Sequence, residues 1–278
     1  MPAAPEGRTK IYVPDATDNC SCAPRGAREY FSAFHGFAAN PGVDTVESHI
    51  TGALRQVLQV DIAIVAAGRT DAGVHGWGQV LSMDLPDSVD LAVLRKQLNA
   101  LCGPFVVVRE ADWVEPDFHA RFSAMWRSYR YTVLNSPTPN PFMVDTAWHI
   151  HTPLKLRAMQ LACDAVIGEH DFSAFCRKPK PSEGEHGAEF SMRRYVMNAD
   201  WRDLGEGVLR FDIRANAFCH QMVRSLVGTF VEIGLGKRPP SDMRGLILSG
   251  DRNQAAQVAP QQGLCLWEVG YPADPGRL

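Results

Sequence analysis

The order in which the hydrophobic period changes along the chain limits its fold more than any other feature. Lys10-Ile11-Tyr12-Val13 can make a short strand. A 3.6-residue period follows over residues 45–57, carried by Val46, Ile50, Ala53, Leu54 and Val57 behind a candidate N-cap, Thr45. Next come an apolar run at 62–65, an alternating run at 79–84, and a second helical period at 91–101 with Leu91, Leu94, Leu98 and Leu101 as its stripe. A β-rich run at 105–111 closes the series. The order is strand–helix–strand–strand–helix–strand, in which each sheet face needs the helices to cover it.

The second half repeats that order coarsely. Strands are expected at 129–134, 195–202, 208–213 and 263–269. Helices are expected at 154–167 (Leu156, Met159, Leu161, Ala162 and Val166 inward), from Asn216 to about Gly234, and at 241–249. No periodic sequence repeat accompanies this likeness. The reading is an α+β chain of two ferredoxin-like or RNA-recognition-like halves with mostly antiparallel sheets.

With 278 residues, 45% of them hydrophobic and 21% charged, the chain can bury two ordinary cores. Residues 1–27, rich in Pro, Ala, Gly and Asp, read as a poorly ordered segment; 28–117 and 118–278 read as the two halves. No apolar run reaches membrane-spanning length, and Met1 to Arg8 lack the apolar core of a signal peptide, so a cytoplasmic location is expected. The seven scattered cysteines read as free thiols, and Cys20-Ser21-Cys22 has no partner pair with which to hold zinc. The net charge of −3 is unevenly spread: residues 1–117 carry 9 Lys+Arg against 15 Asp+Glu, and 118–278 carry 19 against 16. A nucleic-acid partner would therefore be met by the second half.

Ala66-Ala67-Gly68-Arg69-Thr70-Asp71-Ala72-Gly73-Val74-His75-Gly76 follows the apolar run at 62–65 and places Arg69, Asp71 and His75 on one glycine-punctuated loop. A carboxylate near an arginine on a loop held by a strand can carry chemistry. A local Arg69–Asp71 ion pair that merely staples the loop accounts for the same spacing. Between Phe118 and Asn135, His119, Arg121, Arg127 and Arg130 alternate with Phe122, Trp126, Tyr129 and Tyr131. This pattern suits a solvated strand with aromatic core partners, and equally a surface that grips phosphates while stacking unpaired bases. On the long helix Phe218, Met222, Leu226, Val227, Phe230 and Val231 form the buried stripe. Gln221, Arg224, Ser225 and Gly228 lie on another face, so Arg224 can face a cleft with Gly228 leaving room below it; a plain surface arginine fits too.

Four stretches together resemble the TruA-type tRNA pseudouridine synthases: Gly68 to His75; Asp117-Phe118-His119-Ala120-Arg121-Phe122-Ser123-Ala124 with Tyr129-Arg130-Tyr131; Asn216-Ala217-Phe218 with Met222-Val223-Arg224 and Val227-Gly228; and Gly263-Leu264 with Tyr271-Pro272. They stand in the family's order over roughly residues 28–272. The resemblance implies the pseudouridine synthase fold, its halves joined around a central cleft. It also implies isomerisation of uridine at positions 38, 39 and 40 of the tRNA anticodon arm by a homodimer. Asp71 matches the family's nucleophile, Tyr129 the tyrosine that packs on the target base, Arg224 the arginine paired with the aspartate, and Arg69 a residue that helps displace the base. His75, Asn216, His220 and Gln221 are expected near the substrate, and Arg121, Arg127, Arg130, Arg193 and Arg194 at its phosphates. Two departures stand out. Tyr30-Phe31-Ser32 replaces the family's Tyr-Asp-Gly after a polar stretch broken by Pro24 and Gly26. The loop at 177–189 is extended and can fold over the substrate.

The residue chemistry suits that assignment. Moving the glycosidic bond from N1 to C5 is redox-neutral, so no nicotinamide, flavin or other cofactor is expected. The step needs an ionised nucleophile, a base taken out of its stack, and a weak base for the C5 proton, for which the Tyr129 hydroxyl is a candidate. A carboxylate at position 71 is compatible with attack at C1′, attack at C6, or service as a base at the sugar. The rival from another class is a tRNA-binding protein or chaperone of the same fold without turnover. A metal-dependent nuclease would need clustered carboxylates, and none with ligand spacing stands near Asp71.

Overall fold

The structure is a computed structural model that describes residues 6–13, 34–178 and 191–272. Two compact units make up the chain, one of residues 1–125 and 265–278 and the other of 126–264. The division at 28–117 and 118–278 expected from sequence falls earlier and leaves the closing strand in the second half. Among the described residues, no helix is long and apolar enough to cross a membrane.

The first unit is built from β1 (Glu6–Val13), α1 (Val46–Leu58), β2 (Ile64–Ala66), β3 (His75–Gly76), β4 (Gln79–Pro86), α2 (Leu91–Cys102) and β5 (Glu110–Val114). Four of its strands form an antiparallel sheet in the order β2-β4-β1-β5. That is the ferredoxin-like order, with the chain's first strand inside the sheet. Residues 6–13 fall within the segment expected to be poorly ordered apart from a short strand at Lys10 to Val13. Instead they pair along their length with β4 and over Arg8 to Tyr12 with β5. An interior strand has both edges satisfied by its neighbours, which a reading of composition does not register. The remainder of the 1–27 segment, Tyr30-Phe31-Ser32, Cys20 and Cys22 lie outside the described residues.

Thr45 caps α1 as the sequence suggests, in a reciprocal capping box with Ser48. Ile50, Ala53 and Leu54 of α1 and Leu94, Leu98 and Cys102 of α2 meet Leu81, Met83 and Leu85 of β4 in one buried core. In α2 the buried stripe passes to Cys102, and Leu101 is exposed, because steps of four residues keep the face from Leu94 onward. Burial pushes the Cys102 thiol up to about 11. The strand expected at 105–111 starts later, at Glu110. The Asn99 side chain takes both backbone groups of Val108 and holds that stretch against α2 rather than in the sheet.

The second unit contains β6 (Trp126–Asn135), β7 (Trp148–Ile150), α3 (Leu156–Cys163), β8 (Gly168–Asp171), β9 (Arg193–Asp203), β10 (Val208–Ala215), α4 (Met222–Gly234) and α5 (Asp242–Ser249). Strands run β6-β10-β9-β8, all antiparallel, with β7 parallel to β6. Its core centres on Trp201, Phe211 and Phe230, whose ring centroids lie 5.0–6.0 Å apart. The helix expected from Asn216 begins only at Met222, because Gln221 takes a left-handed conformation (φ 65°) and Asn216 turns the chain with its side chain. β11 (Leu264–Gly270) ends the fold, pairing in parallel with β3 inside the first unit.

One expectation about cysteine chemistry is overturned. Cys176 and Cys219 form a disulfide, their Cα atoms 5.7 Å apart, while Cys102 and Cys163 are buried thiols outside it. The Arg177 N–H donating to the His220 carbonyl at 3.0 Å aligns the two segments. Spacing along the chain gives no sign of such a meeting.

Candidate active site

The loop after β2 is fixed almost atom by atom through its backbone. The Ala67 N–H donates to the Val80 carbonyl at 2.8 Å. The buried Gln79 amide then clamps Gly68 from both sides. Its nitrogen donates to the Gly68 carbonyl at 2.7 Å, and its oxygen accepts from the Gly68 N–H at 3.3 Å. Phe37 N–H donates to the Thr70 carbonyl at 3.0 Å, and Val74 N–H to the Asp71 carbonyl at 3.1 Å. Val74 is buried, and His75 and Gly76 pair with Cys265 and Leu266. Such anchoring presets a side chain without requiring order to be gained on binding.

Two glycines make the anchoring possible. Gly36, at φ +97°, lies so close to the loop that a Cβ on it would sit 3.2 Å from both the Thr70 carbonyl oxygen and the Ala72 nitrogen. Its own carbonyl and that of Phe37 accept the Val46 and Glu47 N–H groups at the start of α1, which ties the loop to that helix. Beyond the loop, Gly78 lies flush against the Trp267 backbone, where a Cβ would meet the carbonyl. Trp77 and Trp267 stack at 5.7 Å, with the Arg109 guanidinium 4.4 Å above the Trp77 ring. On this frame Asp71 and His75 are half-buried and Arg69 is exposed.

The second unit holds Tyr129 and Arg224. Register puts Arg127, Tyr129 and Tyr131 of β6 opposite Ala215, Ile213 and Phe211 of β10, on the core face of the sheet. The two tyrosines differ sharply. Tyr131 is fully buried and donates its hydroxyl to the Pro260 carbonyl at 2.7 Å; burial pushes its pKa far up, with nearby Arg224 pulling the other way. Tyr129 is half-buried and meets Phe218 edge-on at 5.0 Å. Phe218 also adjoins Cys219, so the disulfide helps hold the residue that supports Tyr129.

Arg224 leaves the first turn of α4 and donates from Nε to the Ala259 carbonyl at 2.7 Å, while Ala259 N–H returns a bond to the Arg224 carbonyl at 3.1 Å. The chain around residues 256–261 thus lies along α4. Gly228, expected to leave room beneath Arg224, gives that room to the Gln257 backbone, whose carbonyl a Cβ would overlap. Gln221 accepts from Arg252 at 2.8 Å, and His220 is exposed.

The arginines expected at phosphates divide into two groups. Arg121 and Arg193 are exposed, the first beside the Phe122 ring and the second paired with Glu169. Arg127 donates to the Asn216 carbonyl. Arg130 pairs with Asp212 at 3.0 Å, and Arg210 takes the other Asp212 oxygen, on the sheet face opposite Tyr129. Arg194 donates to the Ser191 and Arg193 carbonyls, and burial lowers its pKa. Sequence reasoning missed Gly36, Gln79 and the 256–261 strap. Only Gln79, a polar residue opening a buried strand, carried a signal.

The family model described as tRNA pseudouridine synthase matches residues 162–272. The chain is 37% identical over 238 residues to tRNA pseudouridine synthase A of Brevibacillus brevis, covering 86% of this chain and 94% of that protein. The proteins of the same name from Shouchella clausii and Frankia casuarinae are each 39% identical, over 86% and 87% of this chain and 89% and 86% of their own.

Proposed function

This chain belongs to the tRNA pseudouridine synthase A family, and from that membership we propose that it isomerises uridine to pseudouridine in tRNA. The targets are positions 38, 39 and 40 of the anticodon arm and the enzyme works as a homodimer, as its resemblance to the family implies; a cytoplasmic location is the reading its sequence pattern suggests. The reaction breaks the bond between C1′ and N1, turns the base and joins C5 to C1′. A proton leaves C5 and one is gained at N1, so no electrons are exchanged.

Asp71 supplies the nucleophile, Tyr129 packs on the flipped base and its hydroxyl takes the C5 proton, and Arg224 supplies the positive charge the carboxylate requires. Arg69, His75, Asn216, His220 and Gln221 contact the substrate. Arg121 and Arg193 grip its phosphates, while Arg127, Arg130 and Arg194 act through the neighbours they hold. The observation that carries this reading is a half-buried carboxylate on a loop pinned at Gly68, Thr70, Val74 and His75, in a chain that matches the family along most of its length.

Sequencing-based mapping of pseudouridine in unmodified tRNA, with and without the protein, tests both activity and target. Wild type is expected to mark the anticodon arm. Asp71→Asn is expected to lose at least about a thousandfold in rate while melting like wild type. Product formed at undiminished rate by the variant would remove Asp71 from the mechanism. Binding without conversion by wild type would leave a tRNA-binding protein of the same fold.

A further inference from the structure

We propose that His119, Arg121 and Phe122 form a shelf on which a second unpaired base of the RNA stacks, distinct from the base that reacts at Asp71. The inference rests on the RNA substrate proposed above and extends it to a positioning contact. Phe122 is 76% exposed, and Met125, three residues further along the chain, is 56% exposed. The His119 ring stacks on Phe122 with centroids 4.4 Å apart and planes at 29°. The Arg121 guanidinium lies 5.5 Å from the same ring, near the outer limit for a cation over an aromatic, so it stands at the rim.

The exposed ring is rigidly presented. His119 Nδ1 accepts the N–H groups of Arg121 and Phe122 at 3.3 and 3.2 Å, which orients the imidazole. Ser123 closes the turn on His119 through both its hydroxyl and its N–H. Ala120, fully buried, is held by the Ser82 hydroxyl at 3.1 Å and the Tyr271 hydroxyl at 2.7 Å, and the Tyr271 ring packs on Phe118 at 4.9 Å. A core-anchored turn that turns a phenylalanine outward is preorganised for a flat apolar partner, and so loses little entropy on contact.

A nucleobase has the flat face for Phe122 and brings a phosphate for Arg121. It must be unpaired, because a paired base already spends its faces within its own stack. The shelf and the Asp71 loop hang from one strand: Ser82 stands three residues along β4 from Gln79, which clamps Gly68. That separation is about 10 Å along the strand. Strand alternation sends the Gln79 and Ser82 side chains to opposite faces of β4, so the shelf takes a base of the RNA other than the one that reacts.

The test uses anticodon-arm RNA carrying 2-aminopurine in turn at each unpaired position other than the target uridine, bound to the full chain in an Asp71→Asn background to prevent turnover. One position is expected to be strongly quenched, and adding Phe122→Ala is expected to abolish the quench. In the otherwise wild-type enzyme, Phe122→Ala raises KM about tenfold with kcat held within about twofold, and Phe122→Trp restores KM. Unchanged KM and quench in Phe122→Ala overturn the shelf. A change in sedimentation without a change in RNA affinity also overturns it, by assigning the patch to a contact between copies. RNA that is bound and quenched but never converted sinks the proposed activity alone, whereas failure to bind RNA sinks both.

Discussion

The two regions that carry the proposed chemistry are built by different means. Around Asp71, main-chain hydrogen bonds and one amide side chain fix the loop at nearly every second residue. Around Arg224 and Tyr129, a helix, a strand and a strap are held by packed side chains and by two arginine–carbonyl bonds. The first construction fixes a short side chain on a short tether. The second supports long side chains whose reach depends on several neighbours at once. Small changes should therefore cost activity first in the loop, and stability first along α4.

Substitutions at the close approaches give the largest contrast. Gly78→Ala and Gly228→Ala each force a methyl group into a backbone carbonyl, and each should cost about 2–3 kcal/mol in urea unfolding. A neutral Gly228→Ala would mean that the strap does not lie on α4. Gly36→Ala should cost less, about 1–2 kcal/mol from its left-handed backbone and the 3.2 Å contacts, yet reduce turnover more than Gly228→Ala does. Equal turnover in the two, measured well below their melting points, breaks the distinction between loop and helix. The tyrosines give the smallest and sharpest test. Tyr131→Phe leaves the Pro260 carbonyl without its donor and should cost about 1 kcal/mol. Tyr129→Phe should slow the step that removes the C5 proton far more than Tyr131→Phe does. Calorimetry paired with single-turnover rates separates these effects, and the same ranking for both tyrosines would undo their assigned roles.

What could be read from the sequence follows the same division. Thr45, the α1 stripe and the alternation of β10 are local signals, and they emerged as expected because capping and face burial act over a few residues; β4 forms where expected but is buried on both faces from Gln79 to Met83. The loop at Gly68 to His75 was visible for the same reason. Gly36 beneath Thr70, Ala259 against Arg224 and Cys176 beside Cys219 join residues far apart in the chain, and no local period encodes them. Arg130 shows what composition leaves out. Its place in a basic, aromatic run suggested phosphate binding, but strand alternation sends it to the opposite face from Tyr129, where Asp212 takes it up.

The pairing of β3 with β11 has a consequence for how the enzyme comes into being. His75 and Gly76, which close the loop on its downstream side, pair as a strand with Cys265 and Leu266. During synthesis the loop therefore emerges 190 residues before its support at Cys265. A pairing of such long range forms late and slowly. A ribosome that stops short of β11 releases a chain whose loop is still open on that side, so β11 acts as a check on the loop that carries Asp71.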